Sequence, residues 1–201
     1  MVDTNIKKII LILVTVLTAT GILMVSVSRA TLEVMVRDEN EGRLRVVPVI
    51  VQDKIIYKLP QTNMLPNNIF YGIKESRDWL WLKFSPSDEK KAKILLILAD
   101  KRIAEALALA KRGKHDLALK TGAEAINKLK YANGLINNIT LQPIAQKQLT
   151  VQVWDTTMAY SGIIREIGQQ IIGDKQKYNL LQQNIDDFKE EQRKEEATQK
   201  E

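Results

Sequence analysis

The chain has 201 residues, no cysteine and a single histidine, with 30 basic against 24 acidic side chains for a net charge of +6. The missing thiols exclude a disulfide framework and cysteine chemistry, and one imidazole is too little for a histidine-based metal or hydrolytic centre. The charge is local: residues 67–140 carry fourteen basic and eight acidic side chains, whereas 141–201 carry eight and ten. Acidic residues interleave the basic stretch throughout, which argues against nucleic acid as a partner.

The first element is a run of twenty residues, Ile9 to Ser28, with no charge and no proline, flanked by Lys7, Lys8 and Arg29. At about 1.5 Å per residue a helix of this length covers the roughly 30 Å of a bilayer core. The run predicts an uncleaved transmembrane anchor at 9–28, a cytoplasmic tail at 1–8, and the bulk of the chain outside the plasma membrane. The alternative is a signal peptide cut after Ala30 and a secreted product, but the apolar stretch exceeds the usual signal length.

Residues 29–66 read as an extended stalk. Thr31 to Arg37 alternates in part, Arg43 to Val51 is rich in β-branched residues, and Asp38-Glu-Asn-Glu-Gly42 has turn composition between them. A short β-hairpin of these two runs is the candidate structure, with Pro48 confining the second run to an edge strand or a linker.

From about Asn67 the chain reads as an antiparallel bundle of about five helices at 67–188, which makes the fold class mainly α. Ile69, Phe70, Ile73, Leu80, Trp81 and Phe84 recur at helical spacing and predict a first helix. Ser85-Pro-Ser-Asp-Glu89 is a helix start, with Ser85 as cap and two acids facing the positive end of the dipole. That second helix runs to about Arg112 and stops at Gly113. A third covers 114–137, a fourth runs from Pro143 to Ile172, and a fifth carries Tyr178, Leu180, Leu181, Ile185 and Phe188. Residues 189–201 lack large apolar side chains and read as a charged tail, either a solvated helix end or disorder.

Small residues at Ala106, Gly113, Ala118 and Ala125 match the spacing of a tetratricopeptide hairpin, but the pattern does not recur 34 residues later. One tight helical hairpin inside a bundle is the reading that remains. Asp100, Lys101, Arg102 and Glu105 are expected to pair along or between helices, with Lys101 and Glu105 at i,i+4, each exposed pair contributing about 0.3–0.5 kcal/mol. His115 is expected at the surface. No catalytic, cofactor-binding or metal-ligating constellation emerges.

Lys58-Leu-Pro60, Met64-Leu-Pro66, Ile69-Phe-Tyr-Gly-Ile-Lys74, Arg77-Asp78, Asp88-Glu-Lys-Lys-Ala-Lys93, Ala99-Asp-Lys-Arg-Ile-Ala-Glu-Ala106 and Gly113-Lys114 follow one another in order. Over Tyr57 to about Leu135 the sequence resembles a bacterial domain of unknown function found in single-pass membrane or secreted proteins. The resemblance implies a helical domain at the cell envelope and carries no activity. The sequence thus points to a non-enzymatic module of interaction or envelope structure, with an envelope sensor signalling through a membrane partner as the alternative and an enzyme least favoured. The expected partners are the bilayer at 9–28 and a protein, or a second copy, on helices 143–188. A basic face of Lys90, Lys91, Lys93, Lys101, Lys111 and Lys114 is a candidate for weak contact with anionic lipid.

Overall fold

The structure is a computed structural model that describes residues 46–51, 55–62, 64–138, 143–171 and 173–198, together with 8, 10–16, 18, 19 and 22. It divides into two units, Met1–Leu44 and Arg45–Glu201. In the first unit the described positions are helical. The Thr15 hydroxyl donates to the Leu11 carbonyl at 2.7 Å and the Thr18 hydroxyl to that of Val14 at 3.0 Å. Among the described residues no helix is long and apolar enough to cross a membrane, and half of the 9–28 run lies outside them.

The second unit opens with a hairpin of β1 (Val46–Val51) and β2 (Ile55–Pro60), antiparallel from Val46 opposite Pro60 to Val51 opposite Ile55. This corrects the expected hairpin. The strand around Pro48 pairs with the residues after it, and the 31–37 run lies outside the described residues. Ile55-Ile-Tyr57 has the β-branched and aromatic composition of a strand, and a connection of three residues suffices to join the two. Pro48 is tolerated because each strand of a two-stranded ladder keeps an open edge.

The hairpin is not a free stalk. Leu59 and, beyond it, Leu65 are 2% and 4% exposed and belong to the bundle core. The expected boundary at residue 66 therefore moves toward the amino terminus.

Five helices follow: α1 (Tyr71–Lys83), α2 (Asp88–Lys111), α3 (His115–Asn138), α4 (Pro143–Gln170) and α5 (Lys175–Thr198). Their starts and stops have local causes. The cap of α2 is Ser87 rather than Ser85: its extended backbone lets the hydroxyl accept from the Lys90 N–H at 3.3 Å, while Ser85 donates to the Ser87 carbonyl.

At the other end Gly113 adopts φ +70°. Its N–H bonds the Ala110 carbonyl, and the Lys114 N–H bonds that of Leu109. This is a Schellman turn, the left-handed closure that glycine adopts at little cost.

α2 and α3 then pack along their lengths as the most extensive interface of the bundle. Ala106, Ala118 and Ala125 are fully buried between helices, as the small-residue spacing anticipated. α4 contributes Tyr160, Ile163, Ile164 and Ile167 to the core, and α5 contributes Leu181, Ile185 and Phe188. Fully burying such a side chain is worth roughly 1.5–3 kcal/mol.

Of the two readings of the 189–201 segment the helix end is the one found: the helix continues to Thr198, with Gln192 within it only 6% exposed. One expectation needs correction: of the predicted apolar face of α1 only Trp81 is buried, while Ile69, Phe70, Ile73 and Phe84 are 90%, 60%, 70% and 55% exposed. Tyr71 and Asp78 are buried in place of the others. The helix docks through its polar side because the facing turns of α2 present charge, as the next section shows.

Candidate functional site

Two carboxylates of α2 are engaged by donors from other elements of the bundle, Glu105 buried and Asp100 half-buried. Glu105 has no solvent exposure. It accepts from the Tyr71 hydroxyl at 2.6 Å and from Arg102 Nη1 at 3.0 Å, and Lys74 Nζ closes on its other oxygen. Arg102 extends the cluster to Glu75 at 3.0 Å and to Glu124 of α3 at 3.5 Å. Its guanidinium lies 4.9 Å from the centre of the Tyr71 ring.

Burial pushes the Glu105 carboxyl above its ordinary value of 4.5, and the Lys74 hydrogen bond and the Lys74 and Arg102 charges oppose that only in part. The same low-polarity surroundings lower Lys101 and Lys128 from 10.5, burial being the largest cause for each.

The second carboxylate is Asp100, one turn earlier. The Tyr160 hydroxyl donates to its Oδ1 at 2.8 Å and the Tyr57 hydroxyl to the same oxygen at 2.7 Å. Tyr57 also meets Thr156 Oγ1 at 3.0 Å, and the two tyrosine rings sit edge to face with centroids 6.5 Å apart. Burial and the Asp100 charge raise Tyr160 well above 10.0, so it stays a neutral donor. One aspartate thereby gathers α2, α4 and β2.

An open groove of about 440 Å³ lies between α3 and α5, with Leu119, Ala123, Leu180 and Leu181 along it. Lys177 and Asp116 meet at 2.9 Å across one end.

The residues singled out from sequence fare unevenly. Arg102 and Glu105 do pair, but in a buried centre where Glu105 also takes donors from Tyr71 and Lys74, while Asp100 stands apart, half-buried and engaged by Tyr57 and Tyr160. His115 is half-buried rather than at the surface, and its Nδ1 meets no hydrogen-bond partner within the protein. The six lysines do not form one free face: Lys93 pairs with Glu89 at 2.7 Å, Lys111 with Glu166 at 2.8 Å, and Lys91 lies over the Tyr131 ring. Tyr57 and Tyr160 were missed altogether. The available signal was a polar residue amid apolar neighbours, as with Glu105 between Ala104 and Ala106. Among the described residues no three His, Asp or Glu side chains converge as metal ligands would.

A family profile for a domain of unknown function, DUF5667, matches residues 63–201. The chain belongs to the DUF5667 family. No curated relative and no solved structure matches it. The DUF5667 domain includes all five helices, Asp100, Glu105 and Tyr160, while Tyr57 and the β-hairpin precede it. The Asp100 centre therefore joins the DUF5667 domain to the segment in front of it.

Proposed function

We infer that the chain is an envelope module: an anchor at 9–28 tethers the DUF5667 bundle outside the plasma membrane, where it works by protein contact and not by catalysis. The observation that carries this reading is the state of two carboxylates of α2. Asp100 and Glu105 are engaged by donors of their own chain, an arrangement that fastens elements together and offers a substrate no open acid or base.

The anchor is supported by the uncharged length of the run and by Thr15 and Thr18, whose hydroxyls bond the helix backbone as a bilayer interior requires. Most of the apolar residues of helices 143–188 are spent in the core, so the partner surface contracts to the α5 side of the groove, where Leu180 is 60% exposed.

Protease treatment of intact and opened cells tests the topology, read through a tag at the carboxyl end. Loss of the tag from intact spheroplasts supports the envelope module. Protection until lysis places the bundle inside and overturns it.

A further inference from the structure

α1 carries a stripe that its own bundle does not use. Phe70, Ile73, Arg77, Leu80 and Phe84 follow one another at alternating spacings of three and four, the pattern of a two-helix seam. Within the bundle the helix instead buries Tyr71, Asp78 and Trp81. The stripe faces outward, extended at its start by the exposed Ile69, and only Leu80 along it is half-buried.

The polar groups on and beside the stripe are engaged within the chain. Arg77 pairs with Asp78 at 2.7 Å, and its guanidinium lies 4.5 Å from the Trp81 ring centre. Both partners are buried, so these contacts draw the cation toward the inner edge of the helix. The Ser76 hydroxyl donates to the Gly72 carbonyl at 2.9 Å, and Lys83 Nζ lies 4.6 Å from the Trp79 ring centre. The half-exposed Glu75 is held by Arg102 at 3.0 Å. A covering surface therefore strands no bare charge, the chief cost of drying such a face.

The order of the stripe selects the occupant. Phe70 and Phe84 stand seven residues on either side of Arg77, and Ile73 and Leu80 stand four and three residues from it. From either end the sequence of chemistries is aromatic, aliphatic, neutralised cation, aliphatic, aromatic. A patch of that symmetry matches a copy of itself turned through a two-fold axis, which is the condition for an isologous contact.

The area is sufficient. At about 150–250 Å² for an aromatic side chain, the exposed parts of Ile69, Phe70, Ile73, Leu80 and Phe84 come to roughly 500 Å² in one copy. Two copies remove about 1,000 Å² before the stems of Arg77 and Lys83 are counted, which reaches the lower bound for a specific interface.

We propose that α1 is a homodimer contact: two copies pair these helices antiparallel, with Phe70 against the second copy's Phe84 and Ile73 against its Leu80. The two Arg77 side chains then flank the two-fold axis, each neutralised by its own Asp78. The pairing requires no anchor. None of the residues lining the α3–α5 groove belongs to α1, so each copy keeps its groove for another protein.

The full-length chain in mild detergent is followed by sedimentation velocity over a wide range of concentration. A reversible monomer–dimer equilibrium is expected. Phe70→Glu combined with Phe84→Glu is expected to weaken it at least about a hundredfold, the loss of two interface anchors. Both side chains are exposed, and an unchanged circular dichroism spectrum confirms the fold.

The chain has no cysteine, so introduced thiols report the geometry in phosphatidylcholine vesicles. Gly72→Cys is accommodated, since no neighbouring atom lies within 4 Å of the added Cβ. Gly72→Cys and Lys83→Cys chains, when mixed, should couple through a short bismaleimide several-fold faster than either couples to itself or to Val151→Cys on α4.

A monomer at every concentration overturns the proposal. A dimer that survives the double glutamate change places the contact elsewhere in the chain and overturns it too. Self-coupling as fast as mixed coupling refutes the antiparallel pair. Monomers whose Gly72→Cys thiol is shielded only when vesicles are added assign the stripe to lipid, and the dimer fails.

Discussion

The Tyr160 hydroxyl reaches across 60 residues of sequence to donate to Asp100 Oδ1 at 2.8 Å, and it does so from a position with no solvent exposure. Hydrogen bonds to a charged group contribute about 1.5–3 kcal/mol. Tyr160→Phe is expected to lower unfolding free energy by about 2 kcal/mol in urea titrations. Tyr57→Phe should cost less, because Tyr57 is half-buried, and the double variant should depart from additivity because both hydroxyls share one oxygen. Loss of only a few tenths in Tyr160→Phe would show that Asp100 does not organise the bundle.

The same tyrosine makes stability fall in alkali. Its pKa in the folded protein is raised above the 10.0 of the unfolded chain, so its favourable contribution is whole below 10.0 and is lost as pH rises toward the folded value. In the unfolded chain the phenol ionises while the buried one cannot. Tyr160→Phe should flatten the decline in melting temperature above pH 10, and an unaltered slope would contradict the burial of its hydroxyl.

Removing the Glu105 side chain leaves Lys74 and Arg102 with less of their counter-charge at the α1–α2 contact. Glu105→Ala is expected to cost about 3–5 kcal/mol, the range for breaking one partner out of a buried pair. Glu105→Gln should cost less, since burial already favours the neutral carboxyl. With its folded pKa above 4.5, Glu105 favours the native state most at pH below 4.5 and less as pH rises through the folded value. The Gln variant should remove that part of the pH dependence, measurable by chemical denaturation across the acid range.

A Cβ added at Gly168 would come within 2.3–2.6 Å of the Tyr178 ring. Gly168→Ala is expected to destabilise the α4–α5 hairpin by about 1–3 kcal/mol through overpacking, and Tyr178→Ala in the same chain should restore part of that loss. Equal melting temperatures for Gly168→Ala and the parent would mean that the ring yields freely.

At the start of α5, Asp174 accepts from the Lys177 N–H and pairs with its ammonium at 2.6 Å, which holds the carboxyl below its ordinary 3.8. Stability from this cap is present above 3.8 and fades as pH falls through the lowered value. Protection of the Lys177 and Tyr178 amides, measured relative to their intrinsic exchange rates, should fall at acid pH, and Asp174→Ala should bring that lower protection to neutral pH. Exchange insensitive to both changes would leave the cap without a role.

Helix positions were legible because the signals for them are local. Gly113 and the Gly173-Asp174 step stop and restart helices within a residue or two of where the sequence places them. The faces of the helices were legible only where the apolar side turns inward. In α1 it does not, since the partner turns of α2 carry Arg102 and Glu105, and a periodicity argument has no knowledge of what an apolar stripe will meet. The hairpin partner was missed because residues 52–54 lack the glycine or asparagine that marks a tight turn. Apart from the local Arg102–Glu105 pair, the Asp100 and Glu105 centres depend on donors 31 to 60 residues away, and nothing in the local sequence specifies such pairings.

Leu181, Ile185 and Phe188 complete the core from the last helix of the chain. The α2–α3 hairpin, by contrast, is built from near neighbours and three connecting residues, so it can assemble early and unaided. Until α5 docks, the α3 flank at Gly122 lacks the Leu181 side chain that packs against it. A chain of this design therefore carries an adhesive flank until α5 has been made and seated, and only then is that flank closed to strangers.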